Sequence, residues 1–359
     1  MVKVEGPHSP DYVRFLPPMA GSNGALFEAL NSGKRALGLD LKHSDGPGVL
    51  KRLVRSHDVL VESFRPGVME RLGVGYQALR TENPALVYCA ISGYGQDGPL
   101  AQRAGHDLNY MALSGALGLH GDAGGPVRTP GVQVADIAGG ALNGALGVVA
   151  ALLDVGRGGP GRLVDISMTE GALQFALPAL SAAFAGDPPR RGEQTLDGGL
   201  ACYRTYETAD GEHLAVGALE PQFWQAACRA AGRPDLAMRQ YEDAGPDGAL
   251  QAEMEALIAS KSRADWEALL AEVDACIEPV LGLEEVAAHP QHRARSAFVG
   301  EGLRRQAVVG PRFLGQPPEE LPPAATTGEH SREILAQAGI AEAEIEALIA
   351  SGAVQARSM

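Results

Sequence analysis

Short apolar runs recur along the first half of this chain, and each is separated from the next by an amphipathic stretch. Arg35–Leu41 (RALGLDL) reads as a strand. Gly46–Ser56 reads as a helix, with Val49, Leu50, Leu53 and Val54 on one side. Asp58–Glu62 (DVLVE) is a strand and Pro66–Leu72 begins a short helix. Ala85–Ser92 and Leu163–Ser167 continue the series, the second with a helix from Thr169. Strands joined by helical crossovers cannot pair as hairpins, so the pattern predicts a parallel α/β sheet. Between Ser92 and Leu163 two helices, Gly105–Gly118 and Val134–Leu153, replace one crossover. A long insertion after a strand end is where an α/β fold commonly carries its site.

The second half changes character. Gly186–Gly199 (GDPPRRGEQTLDGG) is rich in Gly, Pro and charge and reads as a domain boundary. Ala201–Thr208 and His213–Ala218 flank an Asp-Gly turn, a good hairpin signal. Helices are expected at Gln222–Ala231, Leu250–Ser260, Ala264–Val273, Ser331–Gly339 and Ala341–Ala350, with a second linker at Pro317–Pro323.

Charge narrows the function. With 30 basic and 44 acidic residues the chain carries −14, a poor balance for non-specific nucleic-acid or membrane-surface binding. An anionic ligand must therefore be met by local basic groups or backbone N–H groups. The four cysteines, Cys89, Cys202, Cys228 and Cys276, are scattered and form no metal-ligand spacing, which fits reduced thiols in a cytoplasmic protein. The N-terminus lacks an apolar signal segment. Val134–Leu153 approaches membrane length, but it contains Asp136, Gly139, Gly140, Gly144 and Gly147. We read it as a buried helix with close backbone packing, not as a span.

Three segments can carry chemistry. In Arg103-Ala-Gly-His-Asp-Leu-Asn-Tyr110, His106 stands at a helix start, where first-turn N–H groups, including that of Asp107, can donate to a developing oxyanion. A partly buried His beside a capping Asp is the plainer alternative. Asp136 opens an apolar helix, either as an N-cap or as a carboxylate in an apolar pocket, usable as base or nucleophile. Glu220, in GALEPQF, lies where the hairpin gives way to a helix, a common place for an acid of no special role.

Together these segments resemble the family III CoA-transferase superfamily (CaiB/BaiF type), and within it the α-methylacyl-CoA racemase branch. SFRPGVMERLGVGY (63–76), ISGYGQDGP (91–99), AGHDLNYMALSGALG (104–118), VADIAGGALNGALGVVAALL (134–153) and LDGGLACYRTYETADGEHLAVGALEPQFW (196–224) carry the likeness. The FRPG and GYG segments match the superfamily. GHDLNY, ADIAGG and ALEPQF match the racemase branch.

The resemblance implies racemisation of 2-methylacyl-CoA thioesters by two bases, His106 and Asp136, through an enolate. It implies Glu220 as support for the His and the Asp107 N–H as oxyanion donor. CoA contacts would be Leu39, Asp40, Leu41 and Lys42, then Ser63, Phe64 and Arg65, then Arg71, and Gly105, Leu108, Asn109 and Tyr110. Without the resemblance, Lys42, Arg65 and Arg71 read equally well as solvated residues or ion pairs. The alternative activity is CoA transfer through an aspartyl-CoA thioester at Asp136. No metal and no separate cofactor are implied, because CoA arrives with the substrate.

The implied fold is a large Rossmann-like α/β domain (1–190 plus 325–359) with a smaller α+β domain (200–315), linked by 186–199 and 316–325. Two such chains are expected to interlock as a homodimer, with active sites between domains of different subunits. The family's usual first βα unit is absent from the sequence, which opens at the strand Val-Lys-Val-Glu.

Overall fold

The computed structural model describes residues 1–242 and 248–357. The chain clusters into two units: Met1–Ala90 with Leu146–Val164 and Leu283 to the C-terminus, and Ile91–Ala145 with Asp165–Gly282.

In the first unit the strand Arg35–Leu39 lies between Val2–Glu5, parallel to it, and the short C-terminal strand Val354–Gln355, antiparallel. Ser331 welds this arrangement: its hydroxyl accepts the Gly38 N–H (3.1 Å) and donates to the Gln355 carbonyl (2.6 Å). A second sheet pairs Val59–Glu62 in parallel with Val87–Ser92, which is followed in the sheet order by Leu163–Ser167. The parallel α/β expectation therefore holds, as two three-stranded sheets. Leu37, Leu39, Val49, Leu53, Leu79 and Tyr88 share one core with Ile334, Leu335, Ile345 and Leu348 of the C-terminal helices Ser331–Gln337 and Glu342–Ala350. The N-terminal segment is held by a buried ion pair. Arg14 donates to Glu5 (2.9 and 2.5 Å) and to Asn23 (3.1 Å), with its guanidinium 3.9 Å from the centroid of the Phe27 ring.

The second unit has two cores. One covers the antiparallel hairpin Tyr203–Glu207 and His213–Gly217, its neighbour Ile277–Pro279, and the helices Pro221–Ala230, Ala249–Ile258 and Arg263–Leu270. The other joins Tyr110, Met111, Ala116, Ala135, Ala172 and Ala176.

Several boundaries depart from the sequence reading for local reasons. The strand from Arg35 stops at Leu39 because Asp40 turns the chain: its carboxylate accepts the Lys42 N–H (2.9 Å) and its carbonyl the His43 N–H (3.2 Å). The helix expected over Gly105–Gly118 runs only from Asp107 to Leu113. Gly115 then takes φ +81°, and a 3₁₀ turn covers Ala116–Leu119. The units also divide the chain elsewhere than at 186–199 and 316–325. The insertion 91–145 packs with Met168–Ala176 around its own core. Residue Gln306 is tied to Ser32 of the first unit (3.1 Å), which draws the segment around it there.

The expectation of a buried helix at Val134–Leu153 is corrected. Only one side is packed. Gly139 lies so close to the next helix that a Cβ would sit 2.9 Å from the Met168 carbonyl oxygen. On the other side Leu142, Leu146, Val149 and Leu153 are 56–69% exposed. These four recur at helical spacing and form an unpartnered apolar stripe. The continuous helical stretch Ala135–Gly156 is, by length and composition only, also sufficient to cross a membrane.

Candidate active site

His106 is the last extended residue (φ −133°, ψ 174°) before the helix Asp107–Leu113. Its N–H is capped by the Asn109 side-chain oxygen (3.1 Å), and its carbonyl accepts the N–H groups of Asn109 (2.8 Å) and Tyr110 (3.3 Å). The N–H groups of Asp107 and Leu108 find no acceptor among the described residues, as expected for a helix start. They remain available to an oxygen that gains negative charge. The imidazole is exposed.

Tyr110 fixes the approach to this turn. Its hydroxyl donates to the Gly105 carbonyl (2.6 Å), and its ring meets Tyr94 edge-on at 5.2 Å. A Cβ on Gly105 would come 2.6 Å from the Tyr110 ring and 2.8 Å from the Tyr94 hydroxyl, so only glycine fits. Tyr110 is thus buried and props the His106 backbone, while Leu108 and Asn109 are exposed. Tyr94 escaped the sequence reading. The only signal was its place in GYG, at the start of the insertion.

Asp136 comes from a stretch with unusual winding. Ala135–Leu142 is a π-helix that passes into the α-helix Asn143–Gly156. Such turns are rare and concentrate at functional sites. Gly139 and Gly140 allow the wide turn to sit against Met168 and Gly171. The backbone N–H of Asp136 donates to Asp107 Oδ1 at 2.9 Å, joining the two segments. The carboxyl of Asp136 is half-buried, and its pKa is raised. Burial is the main cause and the Asp107 charge adds to it, while His106 pulls the other way. The three groups therefore form one electrostatic cluster.

Glu220 makes no hydrogen bond or ion pair with this cluster among the described residues. It precedes the helix Pro221–Ala230 and is exposed, and no hydrogen bond joins it to His106 among the described residues. Its negative charge instead acts on Cys276. Cys89, Cys202 and Cys228 are buried and Cys276 is exposed.

Of the residues expected at CoA, Leu39–Lys42, Ser63–Arg65 and Arg71 belong to the first unit, and Gly105, Leu108, Asn109 and Tyr110 to the second. Those of the first unit lie at or after the C-terminal ends of the strands Arg35–Leu39 and Val59–Glu62, a place where α/β folds bind ligands. Asp40, Leu41 and Lys42 follow Leu39, which is itself buried at its strand end. Ser63, Phe64 and Arg65 follow Val59–Glu62, and the Glu62 carboxylate fixes the turn by accepting the Phe64 N–H (2.7 Å). Arg71 ends the short helix Val68–Arg71. Lys42, Phe64, Arg65 and Arg71 are exposed, and none of the three cations has an acidic partner among the described residues. In so acidic a chain, unpaired arginines beside strand ends suit an anionic ligand. Among the described residues no cluster of His, Cys, Asp and Glu could hold a metal ion.

Residues 1–331 match the model of CoA-transferase family III. The chain belongs to this family. Among its curated relatives in family III, the human α-methylacyl-CoA racemase is 40% identical over 325 residues, covering 88% of this chain and 84% of that protein. The acetyl-CoA:oxalate CoA-transferase of Acetobacter aceti is 31% identical over 309 residues, 84% of this chain and 78% of that protein. Among solved structures, a CAIB/BAIF family protein from Brucella suis superposes with a TM-score of 0.79 at 27% identity. That match covers 94% of this chain and 91% of the other. The family thus contains both an isomerase and a transferase similar to this chain, with the higher identity to the isomerase.

Proposed function

We propose that this chain racemises 2-methylacyl-CoA thioesters by exchanging the α-proton between two bases. The observation that carries the reading is the cluster of His106, Asp107 and Asp136, held by the bond from the Asp136 N–H to the Asp107 carboxylate. One base removes the α-proton, and the C–H electron pair passes into the thioester carbonyl to form an enolate. The free N–H of Asp107 receives the enolate oxygen. The other base then delivers its proton to the opposite face of the carbon. The raised pKa of Asp136 suits this task, since it makes the carboxylate a stronger base than an ordinary aspartate. Asp136 alone would suffice for a transferase nucleophile, but His106 beside it has a role only in proton exchange.

The CoA moiety would lie along Leu39–Lys42, Ser63–Arg65 and Arg71, with Arg65, Arg71 and Lys42 meeting phosphates. The functional unit is a homodimer. The exposed stripe Leu142, Leu146, Val149 and Leu153 supports this, since burial of such a face stabilises association. Glu220, whose carboxylate has no hydrogen-bond partner among the described residues, would support His106 of the second copy.

The test is incubation with a 2-methylacyl-CoA in D₂O, with a free carboxylate acceptor in a parallel tube. α-Hydrogen exchange with racemisation is expected, reduced roughly 10²–10⁴-fold in His106→Ala and Asp136→Ala. CoA transfer without exchange would instead assign Asp136 as a nucleophile. Sedimentation of a fully active monomer would refute the dimer.

A further inference from the structure

We propose that Arg191 is a positioning residue, which holds the loop between the two base-bearing segments and thereby sets how the acyl chain is accommodated. The acyl part of this inference rests on the racemase reading; the loop clamp does not. The segment Gly118–Arg128 begins in the 3₁₀ stretch that follows the His106 helix and leads on toward Asp136. The Arg191 guanidinium spreads over it. Nη1 donates to the Gly118 carbonyl (3.2 Å), Nε to that of Asp122 (3.4 Å), and Nη2 to that of Gly125. Three carbonyls on one fork is a use that lysine cannot copy. Gly192 presses on the same loop: its φ is +73°, and a Cβ there would come 2.9 Å from Ala123 Cα.

The clamp itself is firmly built. The Asp197 carboxylate accepts the N–H groups of Gly192 (2.9 Å) and Gln194 (2.7 Å) and the Gln194 side-chain amide (3.0 Å). The segment that reads as a linker is therefore a folded brace. Its object, the connector between the bases, also closes on itself through the Arg128 N–H to the His120 carbonyl (3.0 Å), and it presents Val127 and Val132 as exposed apolar side chains. Loosening it would change the apolar surface that this connector offers without touching either base.

The experiment compares wild type, Arg191→Lys, Arg191→Met and Gly192→Ala by amide hydrogen exchange and by steady-state kinetics on short and long 2-methylacyl-CoA. Arg191→Met is expected to speed amide exchange in 118–128 roughly tenfold or more. It should also raise KM for the long acyl chain by a similar factor, with kcat and the short-chain KM little changed. Arg191→Lys should fall between the two, and Gly192→Ala should reproduce the KM pattern with Arg191 intact. Unchanged protection of 118–128 in Arg191→Met, in a variant that melts like wild type, overturns the clamp. Equal KM rises for both chains, or a fall in kcat alone, overturn the acyl role. Should wild type catalyse no α-proton exchange, the acyl role falls with the racemase reading. The amide-exchange arm then still decides whether Arg191 holds the loop.

Discussion

The main-chain N–H of Asp136 donates to the carboxylate of Asp107, 29 residues earlier, at 2.9 Å. One bond thus ties the helix start that carries His106 to the π-helix that carries Asp136, and it gives Asp107 two separable effects. Its oxygen is an acceptor, and its charge raises the Asp136 pKa.

Asp107→Asn keeps the acceptor and removes the charge; Asp107→Ala removes both. In each, the acid limb of kcat/KM should move to lower pH, because Asp136 ionises more readily once its anionic neighbour is gone. Only the alanine variant should lose plateau rate, by roughly tenfold, the usual effect of an unsatisfied buried donor. A pH–rate profile of the three proteins decides this.

The raised pKa of Asp136 also predicts a gain in stability from an inactivating change. A carboxyl whose folded pKa lies above its unfolded one stabilises the fold while protonated, and that contribution is lost as pH rises through the folded value. At neutral pH the ionised Asp136 therefore strains the fold. Asp136→Asn should melt higher than wild type at pH 7, and the difference should fade as the pH drops below the ordinary aspartate value of 3.8. A lower melting temperature at pH 7 would contradict the assigned electrostatics.

Arg65 and Arg71 are exposed and lack acidic partners among the described residues, so neither contributes much to folding. Replacing either with alanine should leave the melting temperature unchanged while weakening acyl-CoA binding about tenfold or more, as for a lost charge-assisted hydrogen bond. Titration calorimetry at two salt concentrations would show the loss, together with a shallower salt dependence.

The buried pair Glu5–Arg14 makes the opposite prediction. Glu5→Gln leaves the Arg14 charge buried without its counter-ion, which should cost about 3–5 kcal/mol in urea unfolding. Glu5→Leu combined with Arg14→Met should cost less than Glu5→Gln alone, because no uncompensated charge remains.

How much of this was legible in the sequence depended on the range of the forces involved. Leu163–Ser167 was delimited to the residue, and the hairpin around Asp210-Gly211 nearly so, because alternation and turn chemistry act over a few positions. The halt of one helix before Gly115 also had its local sign, a glycine, but glycine inside an apolar run does not declare its φ. The winding of Ala135–Leu142 had no sign, since ADIAGGAL suits an α-helix as well as a π-helix. The exposed stripe Leu142, Leu146, Val149 and Leu153 was hidden for another reason: an apolar helix reads as buried whichever molecule covers it. His106 and Asp136 were found as separate residues, and Arg191 was missed, because carbonyl acceptors leave no trace in side-chain identity.

The wide turn at Ala135–Leu142 also makes the bearing of one carboxylate depend on a count of residues. An α-helix advances roughly 100° per residue. A π-turn holds about one residue more than an α-turn. Tightening Ala135–Leu142 into α-helix at constant length would therefore turn everything downstream relative to Asp136. A deletion of one codon after Asp136 would let the stretch tighten and leave the apolar stripe beyond it facing nearly the same way.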